Sequence, residues 1–381
     1  MWYNDLRPNQ ELIPNKYSLV FIQEDEDDII LSEADKQRTL ENMIELKKGL
    51  LEKVPQKTVD RNILLATWNI KEFGHISERL PESHYYIAEI INAFDIVAVQ
   101  EIKSGLDGLE KVMRLLGSDW SYIITDITEG SSGNKERSGF IFDTRRIQHS
   151  GLSGELVISP EVNEDAIVKQ LKRTPTITGF TSGWKKFSIV SLHLHPGEKN
   201  ASGDKPSDHD FRKEEVRMLM EIIRDKLDSN LLWSQNLMIL GDTNLYEDDD
   251  DIVELITDEG FKECTGLIGK PTNTSGNQIY DRIFLNVDDY YKLIEDENGV
   301  EKGDVFDLFE YVFTDEQRPQ YHDFMLAHKN DPSNLTDDDA FDSYYHRYWK
   351  RNQMSDHLPV WIEIEADSSV NFLGSKLNKF N

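Results

Sequence analysis

Cysteine is almost absent from this chain. Cys264 is the single one in 381 residues, which excludes an internal disulfide and any zinc site built on cysteine. Long apolar runs are missing too. Nothing approaches the roughly 20 residues needed to span a bilayer, so no membrane partner is expected. The opening stretch, residues 1–14, has neither a basic n-region nor an apolar h-region. A secretory leader is therefore not expected, and with one cysteine the expected setting is reducing and cytoplasmic. There is no internal repeat and no long Pro-rich or Gly/Ser-rich linker. Positive charge is in short supply: 42 Lys and Arg stand against 71 Asp and Glu, a formal charge of −29. That balance repels polyanions at long range and argues against a general nucleic-acid coat protein. It leaves room for an enzyme that meets phosphate only at a local, cation-loaded site.

What is present is enough apolar material for a core, 38% hydrophobic and 10% aromatic, which excludes global disorder. Residues 1–60 read as an N-terminal extension. Within it Leu40, Met43, Ile44, Leu50, Leu51 and Val54 follow helical spacing, predicting an amphipathic helix over about residues 33–52 that packs on the main domain. The main domain is expected over 61–366, followed by a frayed tail over 367–381. From Asn62 onward short apolar runs alternate with helical patterns. Strands are expected at "NILLATW", "DIVAVQEI", "SGFIFD", "KFSIVSLHL", "NLMILGD", "QIYDRIFLN" and "PVWIEIE". Helices are expected at "GLDGLEKVMRLLG", ending at Gly117, and at "FRKEEVRMLMEIIRDKL". Residues 287–353 are acidic and aromatic, too long for a structureless loop, and predict inserted helices or a lid. The clusters "EDEDD" (24–28) and "EDDDD" (247–251) read as solvated surface.

Polar residues collect where these strands end. Asn69 follows the first and Glu101 the second; His193 and His195 end another; Asp242 and Asn244 follow "LMILG"; and Asp356-His357 precede the last. Taken singly, most have ordinary explanations: Asp242 suits an Asx-turn, and His195 before a proline is more structural than catalytic. Asp281 is less comfortable. Flanked by Ile279, Tyr280, Ile283 and Phe284, its carboxylate would be partly buried, which costs several kcal/mol without a partner. Together the set is rich in oxygen donors, suiting Mg²⁺ or Mn²⁺ rather than zinc. A histidine oriented by a carboxylate suits proton transfer near neutral pH.

In this order the blocks "ATWNIKEFG", "DIVAVQEIKS", "ERSGFIFD", "FSIVSLHLH", "LMILGDTNLY", "IYDRIFLN" and "MSDHLPVWIEI" resemble the endonuclease/exonuclease/phosphatase superfamily, and most of all deoxyribonuclease I. The resemblance implies an α+β fold, a four-layer αββα sandwich of two mixed sheets face to face with helices outside. It also implies roles. Glu101 matches the metal-binding glutamate, supported by Asn69 and Asp356. Asp242 matches the aspartate that orients the attacking water or binds metal, with Asn244 beside it on phosphate. His357 matches the catalytic histidine and Asp281 its orienting carboxylate. His193 matches a second histidine on the scissile phosphate, and Arg137 a phosphate-contacting arginine. Thr243 departs from the family's usual apolar residue, and residues 1–60 and 287–353 have no counterpart.

The expected activity is Mg²⁺-dependent phosphodiester hydrolysis, with DNA as substrate and endonucleolytic attack by water. "HRYWKR" (346–351) offers cations and aromatics for a nucleic-acid strand; the competing explanation is a helix with Tyr345, Tyr348 and Trp349 in the core. The alternative function is a phosphodiesterase or phosphatase for a small phosphorylated molecule, which the charge of −29 favours. Oligomeric state is not legible.

Overall fold

The structure, a computed structural model, describes residues 1–8, 19–21, 31–74, 79–127, 135–158, 167–197, 206–229, 232–329 and 331–380. The strands, in chain order, are β1 (Asn62–Phe73), β2 (Ile96–Ile102), β3 (Trp120–Ile124), β4 (Arg137–Asp143), β5 (Gln148–Glu155), β6 (Thr176–Ser182), β7 (Lys185–His193), β8 (Leu237–Asp242), β9 (Lys262–Glu263), β10 (Asp281–Asn286), β11 (Gly303–Val305) and β12 (Val360–Glu365). They form two six-stranded sheets, ordered β11-β12-β1-β2-β4-β3 and β5-β6-β7-β8-β10-β9. Both are mixed: β1 runs parallel to β2, and β7 parallel to β8, while their other neighbours are antiparallel. The helices are α1 (Glu33–Lys53), α2 (Pro81–Asn92), α3 (Asp107–Leu116), α4 (Asp208–Asp228), α5 (Asp250–Thr257), α6 (His322–His328), α7 (Asp338–Tyr344), α8 (Lys350–Gln353) and α9 (Ser369–Leu377).

Alternation along each strand sets the layers. On β1, Ile63 and Leu65 point between the sheets, where they join Phe140 and Phe142 against Phe180, Ile189 and Leu240. Leu64, Ala66 and Trp68 point the other way, into a core shared with α1, α2 and α3. On the second sheet Val190 and Leu192 pack outward on Val216 and Leu219 of α4 and Ile252 of α5. The result is helix, sheet, sheet, helix. With both faces buried, the strands read in sequence as near-continuous apolar runs. A polar bridge also crosses the inter-sheet layer next to Glu101: Gln100 Nε2 donates to Ser191 Oγ at 3.1 Å and to Thr67 Oγ1 at 3.2 Å.

Local signals set several boundaries. Ser207 and Asp210 form a reciprocal capping box at the start of α4. Gly117 ends α3 with φ of 95°, a conformation a side chain would resist.

Three expectations need correcting, while the inserted helices expected in 287–353 are present. The buried face of α1 consists of Lys36, Thr39, Asn42, Met43, Leu46 and Leu50, while Leu40, Ile44 and Leu51 are 38, 52 and 65% exposed. The reason is what docks there. Asn42 exchanges hydrogen bonds with Gln317 (2.9 Å) and Tyr321 (3.3 Å), and the Tyr311 ring lies where a Cβ on Gly49 would be. Small and polar residues, not the apolar stripe, mark the contact. Those partners belong to the 287–353 stretch, which carries α6, α7, a π-helical turn at Tyr345–Trp349 and α8. Its Phe313, Tyr321, Tyr345 and Trp349 lie in the same core as α1 and α2. The expected tail forms α9, docked through Phe372 on Trp184 and Tyr290 at ring separations of 5.8 and 5.2 Å. In "EDDDD", Asp249 is fully buried and accepts from Arg212 Nη2 at 2.7 Å and from Tyr246 N at 3.0 Å. "EDEDD" lies outside the described residues.

Candidate active site

Register across the second sheet places three of the expected residues in one row. His193 is the Cα partner of Asp242 on the parallel side, and Asp242 is the partner of Asp281 on the antiparallel side. Asp281 is the first residue of β10, so its side chain lies at the sheet's rim. Gly241, with φ of 132°, lets β8 come close to β7; a Cβ there would collide with the Leu192 carbonyl oxygen.

His357 comes to this row from the first sheet, on the segment entering β12. Its Nδ1 sits 2.8 Å from Oδ2 of Asp281. An ionised carboxylate only accepts, so Nδ1 carries the proton and Nε2 faces away. That Nε2 lies 3.7 Å from Oδ2 of Asp242. Burial works against charge on His357, but the carboxylates of Asp281 and Asp242 outweigh it and hold the imidazolium well above the usual value of 6.5. Burial also raises the Asp281 carboxyl above its ordinary range, against the pull of the imidazolium. Thr272 fixes that carboxyl. Its hydroxyl donates to Asp281 Oδ2 at 2.9 Å and accepts from the backbone N–H of Tyr280 and Asp281, both at 3.0 Å.

His193 is arranged in parallel. Its Nε2 is 3.4 Å from Oδ2 of Asp242, and its Nδ1 is 3.2 Å from Oε2 of Glu136. Glu136 is itself gripped by Lys103 Nζ at 3.0 Å and Arg173 Nε at 3.2 Å. Burial disfavours its charge, yet the hydrogen bond and charge of His193, then Arg173 and Lys103, hold the carboxyl well below the usual carboxylate range. Glu136 escaped sequence reasoning although "ERSGFIFD" begins with it. A glutamate before a strand has no pattern of its own; its signal is a half-buried lysine 33 residues before it and a buried arginine 37 after it.

The first sheet brings the oxygen donors. Asn69 Nδ2 donates to Glu101 Oε1 at 3.1 Å and to Asp242 Oδ2 at 2.9 Å, tying the two sheets together. Its Oδ1 is buried without a partner. The pairing of β1 with β2 slips between Asn69 and Phe73, and that of β2 with β4 between Val99 and Ile102. Glu101 lies in this irregularity with φ of 62°, and Glu72, whose N–H donates to Glu101 Oε2 at 2.9 Å, has φ of 43°. Such backbone costs about 1–3 kcal/mol per residue and re-aims a side chain. Asp356, 38% exposed on its side chain, lies 3.6 Å from Lys71 Nζ. Ser355 fastens that segment: its hydroxyl donates to the Asn69 carbonyl at 2.7 Å and accepts from the N–H of Lys71 and His357, both at 3.1 Å.

Among the described residues no three His, Cys, Asp or Glu side chains are grouped to hold a metal by themselves. Glu101, Asp356 and the unpartnered Asn69 Oδ1 remain as a sparse set of hard oxygen donors. That suits Mg²⁺, which takes one or two carboxylates and fills its other positions with water and phosphate oxygens.

The remaining expected residues divide. Asn244, φ 48°, donates its backbone N–H to Asp242 Oδ1 at 3.0 Å and its side-chain amide to the Leu194 carbonyl at 3.1 Å. It therefore stands beside Asp242. Arg137 instead turns to the carbonyls of Lys103 and Ser104, at 3.0 and 3.3 Å. His195 pairs with Asp208 at 2.7 Å, outside the site. Thr243 hydrogen-bonds the Tyr280 carbonyl through both N–H and hydroxyl, each at 2.7 Å. In "HRYWKR", Tyr345 and Trp349 are core residues, whereas Tyr348 is 58% exposed, and Arg351 Nη2 donates to Ser275 Oγ at 3.0 Å.

No family model matches the chain. It is similar to the deoxyribonuclease-1 of Equus caballus, 26% identical over 195 residues, 48% of this chain and 61% of that protein. It is similar also to that of Canis lupus familiaris, 24% identical over 239 residues, 58% of this chain and 75% of that one. The first of these matches thus spans less than two thirds of its relative. Among solved structures it resembles the endonuclease/exonuclease/phosphatase from Bacteroides vulgatus, at 13% identity and a TM-score of 0.49 over 82% of this chain and 100% of that one. It also resembles the human Nocturnin catalytic domain with bound sulfate anion, at 12% identity and a TM-score of 0.45 over 80% and 94%.

Proposed function

We propose that this chain, with its resemblance to the endonuclease/exonuclease/phosphatase superfamily and to deoxyribonuclease I, is a Mg²⁺-dependent phosphoesterase, with Mn²⁺ as a substitute. Its reaction in this reading is endonucleolytic hydrolysis of DNA phosphodiester bonds by water. The observation that carries it is the surround of Asp242. One oxygen of that carboxylate faces two imidazole Nε2 atoms, at 3.4 and 3.7 Å, and each imidazole is backed by a buried carboxylate. A metal ion would be held by Glu101, Asn69 Oδ1 and Asp356, with Asp242 at its margin, and would polarise a non-bridging phosphate oxygen. Asp242 orients the attacking water by accepting its hydrogen. His357, kept cationic by Asp281, donates from Nε2 to the charge that builds on the phosphate. His193, oriented by Glu136, faces the same phosphate from the other side and assists the leaving oxygen. Asn244, beside Asp242, supplies a further phosphate contact, and Arg137 adds one only by leaving the Lys103 and Ser104 carbonyls. The lone Cys264 is buried, with its thiol pushed up to about 11 by burial. An inert thiol of that kind fits a cytoplasmic protein.

The net charge of −29 favours a second reading, a small phosphoester as substrate. The test offers wild type and His357→Ala supercoiled plasmid, single-stranded DNA, RNA and a small phosphodiester in Mg²⁺, Mn²⁺ and EDTA. Metal-dependent nicking that vanishes in the variant supports the nuclease. Intact nucleic acid with turnover of the small ester supports the second reading instead.

A further inference from the structure

Beside the segment that leads to Asp356 and His357 lies a cavity of about 280 Å³. It sits at the low end of small-molecule pockets, with room for a ring or two and not for a strand. Its walls come from α6, α7, the π-helical turn and α8, all within the stretch that has no counterpart in the family resemblance. Three groups there have unspent hydrogen-bonding capacity among the described residues. Trp349 Nε1 is buried with no partner. The Asn352 carboxamide and the Lys329 ammonium line the cavity and have no hydrogen bond or ion pair from their side chains. Lys329 lies instead 4.8 Å from the centre of the Tyr344 ring, which forms another wall. Short π-helical turns persist mostly where function repays their poorer geometry.

The cavity is physically tied to the candidate active site. Buried Arg79 accepts nothing and donates to four carbonyls: Asn352 (3.3 Å) and Gln353 (3.1 Å) through Nε, Met354 (3.2 Å) and Lys71 (2.9 Å) through Nη2. Lys71 in turn pairs with Asp356. Asn352 and Asp356 are four residues apart, at most about 14 Å along the chain, a span of a few nucleotides.

We propose that this cavity takes a nucleobase of the strand whose phosphate occupies the candidate active site. This rests on the nuclease reading above and deepens it. An aromatic face, a carboxamide that both donates and accepts, and an indole N–H are the groups that hold an unstacked base. The net charge explains the need. With −29 on the protein, the phosphate backbone is repelled at long range, so a strand must be held by contacts that do not depend on its charge.

The experiment uses the full chain carrying His357→Ala, so that a strand is bound and not cut. Calorimetry with Mg²⁺ compares a single-stranded DNA hexamer, an abasic hexamer of equal length, and a nucleoside monophosphate. The base-bearing strand is expected to bind about tenfold tighter than the abasic one, the worth of one stacked base. Adding Asn352→Leu or Lys329→Ala, the latter at a partly exposed residue where folding is not at stake, brings the ratio near one with the abasic affinity unchanged. A mononucleotide that binds as tightly as the strand overturns the link to the site. Equal affinity for the two strands, or an unchanged ratio in both variants, overturns the proposal. Failure of the nuclease reading looks different: wild type then turns over a small phosphodiester and leaves every strand intact.

Discussion

The Thr272 hydroxyl donates to Asp281 Oδ2 at 2.9 Å while the backbone N–H of Asp281 itself donates back to it at 3.0 Å. This closed exchange locks the one carboxylate that orients His357. Thr272→Val removes it without changing side-chain shape. Turnover should fall roughly 10- to 100-fold, the range for partners one step behind a reacting group, with KM little changed. Thr272→Ser should recover most of the loss. Steady-state kinetics of the three proteins decide it; equal turnover in Val and Ser variants would remove Thr272 from the site's support.

Glu101→Gln keeps the hydrogen-bond geometry to Asn69 and Glu72 but removes the charge a cation needs. Calorimetric Mg²⁺ binding should be lost and turnover reduced by several orders of magnitude, with the thermal midpoint nearly unchanged. A loss of only two- or three-fold would mean the residue is misassigned.

Glu136 supplies a pH dependence with a definite sign. Its folded carboxyl titrates well below the usual value of 4.5 because His193, Arg173 and Lys103 surround the charge, despite burial. The folded state therefore binds fewer protons than the unfolded chain in that window. The stabilisation is fully present above about pH 4.5 and is lost as pH falls toward the folded value. Urea midpoints of wild type and Glu136→Gln should differ most at neutral pH and converge on acidification. Parallel curves would show that the carboxyl is not held in its charged form.

Arg79 is a buried cation that donates to four carbonyls, and burial lowers it to about 10. Arg79→Met leaves those acceptors dry and should cost about 3 kcal/mol, since each unsatisfied buried group costs about 1–3. Turnover should drop as well, because Lys71 and the segment before Asp356 lose their shared anchor. Urea denaturation alongside single-turnover rates checks both halves; a stable, fully active variant would show that the anchor is dispensable.

The sandwich was legible because its central strands are buried on both sides. β1, β2, β4, β7, β8, β10 and β12 carry apolar runs with few alternatives. The five strands that sequence reasoning missed are of another kind: β3, "WSYII", is a short edge strand with only Trp120 buried. β5, "QHSGLSGE", is an edge strand that is mostly exposed and carries two glycines, and β9 and β11 are two and three residues long. β6 was hidden by the glycine in "TITGFTS", although its apolar residues are buried. Their pairing is decided by neighbours distant in sequence, not by their own composition. The site residues were legible where a polar group interrupts an apolar run, as at Asp281. Glu136, Thr272 and Arg79 act on other side chains or on carbonyls, and nothing local marks such a role. Asp249 shows the converse: a run of acids looks solvated until Arg212 is found beneath it.

β12 lies between β11 and β1, inside the first sheet and not at its margin. His357 is delivered by the turn into that strand. During synthesis every other residue of the row, His193, Asp242 and Asp281, leaves the ribosome first and can pair while the place for β12 stands open. His357 therefore reaches the row only when β12 does. Until β12 enters between β11 and β1, Asp281 stands in its row without the imidazole that His357 brings to it, so the pairing of one central strand and the completion of the row are a single event.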